Sequence, residues 1–212
     1  MSAEPPAPVS RRDARRFRSP ELVDLATAWS QERARATAPG ARHDSGCSGR
    51  HGWMLDIGLD TVLEPVLGQH GFETPGFYRF STLDAATARL LLGRLAPAYL
   101  VTERQNDSPA VGAFLDAVAA YPDRLRAHGY VVGPERCDER ITVEGVLVRM
   151  DQEVDVDPGC RPGCRCPDVV RYVEDELGLA LPVPPHEVRR WRGFDLAGGP
   201  ERGQPWYRLW WD

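Results

Sequence analysis

The chain has no lysine. All 26 of its basic residues are arginine, and it contains one asparagine (Asn106) and two isoleucines (Ile57, Ile141). A GC-rich genome imposes this profile, so abundant arginine is codon bias before it is a sign of function. Excess positive charge is also lacking. The 26 arginines stand against 31 acidic residues, a net charge of -5, which argues against a nucleic-acid binder driven by bulk charge, because phosphate contacts need a local basic excess. No apolar run reaches the roughly 20 residues of a membrane span, and the opening Met-Ser-Ala-Glu-Pro-Pro-Ala-Pro has no apolar signal core. These absences point to a cytoplasmic protein with no membrane segment, in which five cysteines are expected as thiols or ligands rather than disulfides. Also missing are an acid and base at motif spacing, a phosphate-binding loop and a dinucleotide fingerprint. The leading reading is therefore a non-enzymatic regulatory or interaction protein. A small enzyme or ligand-binding protein is the alternative.

An apolar share of 42 % is enough for a real core. The pattern predicts an α/β or α+β fold, a single mixed domain of helices on a small sheet. Residues 1–18 form a proline- and arginine-rich disordered arm, 19–157 the mixed core, and 158–212 a cysteine turn, a helix and a Trp-rich closing strand packed on the same domain. Helices are expected near 20–34, 82–95, 109–120 and 168–177, where apolar residues recur at helical spacing behind Ser, Thr or Asp starts. Strands are expected near 72–80, 98–102, 128–132, 140–150 and 205–211, with the middle pair 128–132 and 140–150 forming a hairpin.

The stretch with a chemistry of its own is Cys160-Arg-Pro-Gly-Cys164-Arg-Cys166-Pro-Asp168. Pro162-Gly163 suits a tight turn that would gather the three sulfurs, and a structural zinc would take them with a fourth donor from His186, Cys137, Asp157 or Asp168. The C-x3-C-x-C spacing is not the C-x2-C knuckle of strong zinc motifs, so inert or redox-labile thiols, a short Cys160–Cys164 disulfide and an iron cluster stay open beside zinc. Asp168 is the expected N-cap of the next helix, placing Cys166 at its positive end near Arg161 and Arg165, where a thiolate is favoured.

Two polar loops are further candidates for ligand binding. One is glycine-rich and carries His43, Cys47 and His51. A cysteine nucleophile there would need a base close by and free amides for an oxyanion. The other, Arg104, Gln105, Asn106 and Asp107, follows the expected strand at 98–102 and precedes a helix, the position at which open α/β sheets bind anions. The competing explanation is a cap by Asp107 or Ser108 with Pro109 at the first helical position. The aromatic tail Trp206, Tyr207, Leu209, Trp210 and Trp211 is either a core strand or a protein-docking segment. The run Arg11 to Arg18 is the one basic segment that could reach nucleic acid.

The segments Arg104-Gln-Asn-Asp, His128-Gly-Tyr-Val-Val-Gly-Pro-Glu-Arg, Asp138-Glu-Arg, Cys164-Arg-Cys and Trp210-Trp-Asp together resemble a group of uncharacterised actinobacterial proteins across about residues 72–212. The resemblance implies a lineage and a shared fold. It implies no activity and transfers no functional residue.

Overall fold

The computed structural model describes residues 24–41, 50–67, 76–157, 159, 161–192 and 204–212. Helix α1, Leu25–Ala36, starts at Asp24, whose carboxylate accepts from the amide and hydroxyl of Thr27 at 2.9 and 2.8 Å. Helices α2, Trp53–Asp56, and α3, Leu59–Leu67, lead to strand β1, Phe77–Leu83. Helix α4, Ala85–Arg94, is capped by Asp84 in the same way as α1. Then come helices α5, Pro97–Thr102, and α6, Val111–Ala120, strands β2, Leu125–Val132, and β3, Arg140–Arg149, helix α7, Cys166–Arg171, and strands β4, Glu187–Trp191, and β5, Trp206–Trp210. Among the described residues no helix is long and apolar enough to cross a membrane.

The sheet has five strands in the order β1-β2-β3-β5-β4, every pair antiparallel. β5 therefore lies inside the sheet and β4 at its edge. Side chains alternate between the two faces. Tyr78, Phe80, Leu125, Ala127, Val131, Val143, Val146, Val148, Tyr207 and Leu209 share one core with Phe114, Leu115 and Val118 of α6, and with Val169, Val173 and Leu177 beyond the cysteine turn. The aromatic tail is core, as the first of its two readings holds: Trp211 is fully buried, its ring edge meets Phe114 at 5.6 Å, and its indole N–H donates to the Val183 carbonyl at 2.9 Å.

Three expectations are corrected. Residues 98–102 are not a strand but lie in α5. Pro97 stands in the first turn, where its missing amide costs nothing, the Thr102 hydroxyl bonds back to the Ala98 carbonyl, and no residue of the helix is buried. Asp168 is not an N-cap. The helix begins two residues earlier, Arg165 holds the cap position, and Asp168 sits in the first turn in ion pairs with Arg165 and Arg171. After Arg171 the helix widens into a π-helical turn, Tyr172–Glu176. Finally, α6 has Ala110 at its cap with no side-chain bond, so neither Asp107 nor Ser108 caps it. Ser108 closes its own loop instead, accepting from the Gln105 amide at 3.2 Å.

A bulge in β3 shapes the outer face. His128 pairs with Gly145 but Gly129 pairs with Val143, leaving Glu144 as the extra residue. Glycine is required here on space alone. A Cβ on Gly145 would stand 2.0 Å from the Leu209 carbonyl oxygen and 2.7 Å from His128 Nε2.

Candidate functional site

The sequence candidates that fall among the described residues are not brought together in one site. His43, Cys47 and Cys160 lie outside the described residues. His51 is a structural tie, its Nδ1–H donating to the Pro134 carbonyl at 2.9 Å. Beside it Glu139, buried at the end of the β2–β3 connection, accepts from the amides of Gly52, Trp53 and Met54, the last at 2.8 Å, and so fastens the start of α2 to the sheet. Loop 103–108 joins two helices and has no parallel strand before it, which removes the geometric ground for an anion site there. Gln105 accepts from the Tyr130 hydroxyl at 2.8 Å, Arg104 leans back on the Val101 carbonyl, and Asn106 takes a left-handed conformation at φ 46°.

At the cysteine turn Cys166 is buried and Cys164 half-buried. The Cys166 thiol donates to the Asp157 carbonyl at 3.5 Å. Asp157 pairs with Arg161 and Asp168 with Arg165, so both arginines already have carboxylate partners. His186 accepts the Asp212 amide on Nδ1 at 2.9 Å, leaving only Nε2 for a metal. Cys137 is disulfide-bonded, contrary to the expectation of thiols throughout, and cannot be a fourth ligand. Among the described residues no group of three or more His, Cys, Asp and Glu side chains is placed to hold a metal ion.

The chemistry-bearing constellation lies elsewhere, on the face of the sheet opposite the helices. Register puts Phe77 and Arg79 of β1, Arg126, His128 and Tyr130 of β2, Glu144, Leu147 and Arg149 of β3, Trp206, Arg208 and Trp210 of β5, and Glu187, Arg189 and Trp191 of β4 on that side. Guanidinium groups lie over aromatic rings throughout: Arg79 on Phe77 at 5.3 Å, Arg126 on Trp206 at 5.7 Å, Arg140 on Tyr130 at 5.6 Å and Arg208 on Trp210 at 5.1 Å. A chain of net negative charge thus carries a locally basic face.

Its centre is a cavity of about 290 Å³ lined by Arg79, Phe80, Ser81, His128, Gly129, Glu144, Arg189, Trp191 and Arg208. Arg79 is paired with Glu144 at 2.9 Å and Arg189 with Glu187 at 3.0 Å. Arg208, directly opposite Arg189 across β4 and β5, has no ion-pair partner among the described residues. Like charges facing each other in this way destabilise a sheet by about 0.2–1 kcal/mol. The Arg208 pKa is lowered by burial and by Arg189. Beneath them His128 is buried, and that burial, with Arg208, Arg189 and Arg79, pushes its pKa down to about 3. It is therefore a neutral imidazole whose Nε2–H donates to the Leu209 carbonyl at 3.1 Å. The next row across the strands is Arg149, Trp206 and Trp191, and the Nε or Nε1 donor of each is buried with no acceptor among the described residues. Each such orphan costs about 1–3 kcal/mol.

Comparison with known proteins finds no family model, no curated protein and no solved structure that matches this chain. Function has to be argued from the constellation itself.

Proposed function

We propose that the protein is a non-enzymatic, regulatory binding protein that receives an anionic ligand on the outer face of its sheet. The carrying observation is the cross-strand pair of Arg189 and Arg208, in which one arginine is matched by a glutamate and the other is not. A fold that holds two guanidinium groups opposite each other, with a third arginine and a neutral histidine alongside, has a place for one more negative charge. Binding is favoured over catalysis by the state of the groups in the cavity. His128 has its Nε2–H committed to a backbone carbonyl and a pKa too low for general-base work near neutrality. Glu144 is held in an ion pair by Arg79. The cysteine turn enters this reading as a structural staple rather than a reactive site, with zinc on Cys160, Cys164, Cys166 and His186 as its metal-bound form.

The test is thermal unfolding at constant ionic strength in chloride, sulfate, phosphate and citrate. Multivalent anions are expected to raise the Tm of the wild type above its value in chloride, and Arg208→Gln is expected to lose that increment. Equal Tm in all four salts, or an increment kept by Arg208→Gln, would overturn the proposal.

A further inference from the structure

We infer that the ligand of the outer-face cavity is a phosphate monoester joined to a planar ring, the chemistry of a nucleotide. This rests on the binding reading above and adds to it what kind of anion fits. Three guanidinium groups converge on the cavity wall, from Arg79, Arg189 and Arg208. Two of them already have carboxylate partners, and a further carboxylate would offer only two oxygens and one unit of charge. A phosphate monoester brings three oxygens and a charge of about -1.5 to -2 near neutrality. It can accept the fork of Arg208 and also take donors from its neighbours, which suits arginine better than any other residue.

The donors outnumber what a carboxylate can serve. Arg79, Arg189 and Arg208 present three guanidinium forks to one cavity, and a tetrahedral anion with three terminal oxygens can accept from more than one of them at once.

The ring half of the inference comes from the walls and the size. The cavity, at about 290 Å³, lies at the lower end of the range of small-molecule pockets, roughly 300 Å³ and up, which is more room than a phosphate group alone needs. Beyond the arginines that space is bounded by the Trp191 indole. Rings stack on aromatic side chains and on arginine planes, and this face already carries that stacking in its own Arg208 on Trp210 and Arg126 on Trp206 pairs. Glu144 sets the specificity against small polyanions. Buried beside Arg79, it repels further negative charge at that wall of the cavity.

Isothermal titration calorimetry on the full chain, at fixed pH and ionic strength, tests this with inorganic phosphate, ribose 5-phosphate, adenosine, AMP and a 5′-phosphorylated oligothymidylate. AMP is expected to bind at least tenfold more tightly than ribose 5-phosphate or inorganic phosphate, and adenosine not measurably. Arg208→Gln should weaken AMP tenfold or more. Trp191→Leu should bring AMP down to the affinity of ribose 5-phosphate while leaving ribose 5-phosphate unchanged. Glu144→Gln, which removes the competing carboxylate without emptying the site, should tighten inorganic phosphate several-fold and so reports even if the arginine variant folds poorly. An oligothymidylate that binds more tightly than AMP identifies a strand end as the source of the phosphate, and one that binds no better identifies a free nucleotide. Adenosine binding as well as AMP, or AMP no better than ribose 5-phosphate, overturns the phosphate-and-ring inference while anion binding itself stands. No heat with any phosphate compound overturns both.

Discussion

Glu32 on α1 is expected to make the stability of this protein fall as pH rises, and to do so through one oxygen atom. The side chain is buried, with 3 % of its surface exposed. Its Oε1 accepts from the Tyr78 hydroxyl and from the Gly76 amide, the latter at 3.1 Å, but its Oε2 is buried with no donor. Nothing larger than glycine fits beside it, because a Cβ on Gly133 would stand 2.6 Å from Oε2. Burial raises the Glu32 pKa above the ordinary 4.5 against the lowering by Tyr78 and Gly76. Burial and Glu32 together push the Tyr78 hydroxyl up, so it stays the donor. An unsatisfied buried group costs about 1–3 kcal/mol, and a charged one more, which is the free energy that ionising Glu32 in the folded state must find. The folded chain therefore keeps this proton at pH values where the unfolded chain has released it. Stability is greatest below pH 4.5 as far as this group is concerned, and falls as pH rises from there through the raised folded pKa. Glu32→Gln keeps an acceptor for Tyr78 and cannot ionise. Urea denaturation followed by tryptophan fluorescence from about pH 4 to about pH 9 should show the variant gaining about 1–3 kcal/mol on the wild type across that range. Two stability curves that run parallel with pH would refute the reasoning, because the titration would then be the same in both proteins.

Gly145→Ala should lower Tm by several degrees, at about 2–4 °C per kcal/mol for a chain of this size, since overpacking at its closest approach costs about 1–3 kcal/mol. A differential scanning calorimetry trace unchanged by the substitution would contradict the close contact with Leu209 and His128. Glu139→Ala strands the amides of Gly52, Trp53 and Met54 and should cost about 3 kcal/mol or more, read as a shifted urea midpoint. A shift under about 0.5 kcal/mol would show that α2 is held by other contacts. If the cysteine turn takes zinc through Cys160, Cys164, Cys166 and His186, protein purified without chelator carries near-stoichiometric zinc by elemental analysis and Cys164→Ser loses it. Metal-free wild type whose Tm does not respond to added zinc would refute metal binding there.

The helices and the central hairpin could be read from the sequence where periodicity was long enough to decide. Phe114, Leu115 and Val118 mark α6, and the alternation around Ile141 to Val148 marks β3. Short apolar runs were ambiguous. Ala98 to Thr102 has the composition of a strand, but it follows Pro97 as a short helix that sets only Tyr99 and Leu100, both half-buried, against the core. Strand β4 gave no signal, because an edge strand with one core residue, Val188, between charged neighbours does not alternate cleanly. The candidate site was harder still. Arg79, His128, Arg189 and Arg208 come from four different strands, so they meet only once register is known. The net charge of -5 misdirected the reading, since a whole-chain sum cannot see a basic face. What the sequence did offer was the tail: Trp206, Arg208 and Trp210 alternate with the core residues Tyr207 and Leu209, which puts an arginine between two tryptophans on the outer side of one strand.

The order of strands also sets the order of assembly. β1, β2 and β3 form an antiparallel run of sequence neighbours, and the β2–β3 hairpin closes over the short connection from Val132 to Arg140. β5 must return across the whole stretch between Arg149 and Trp206, a loop about eight times longer, which makes its closure more costly by about 2 kcal/mol of chain entropy. β4 precedes β5 in the chain but touches the sheet only through it. Within the sheet it pairs only with β5, so it joins the sheet together with β5 or after it. The arginine pair of the cavity lies on these two strands, so that face is expected to be completed late in folding, after the meander of β1, β2 and β3. Hydrogen exchange should follow the same sequence, with the amides of β4 and β5 opening before those of β2.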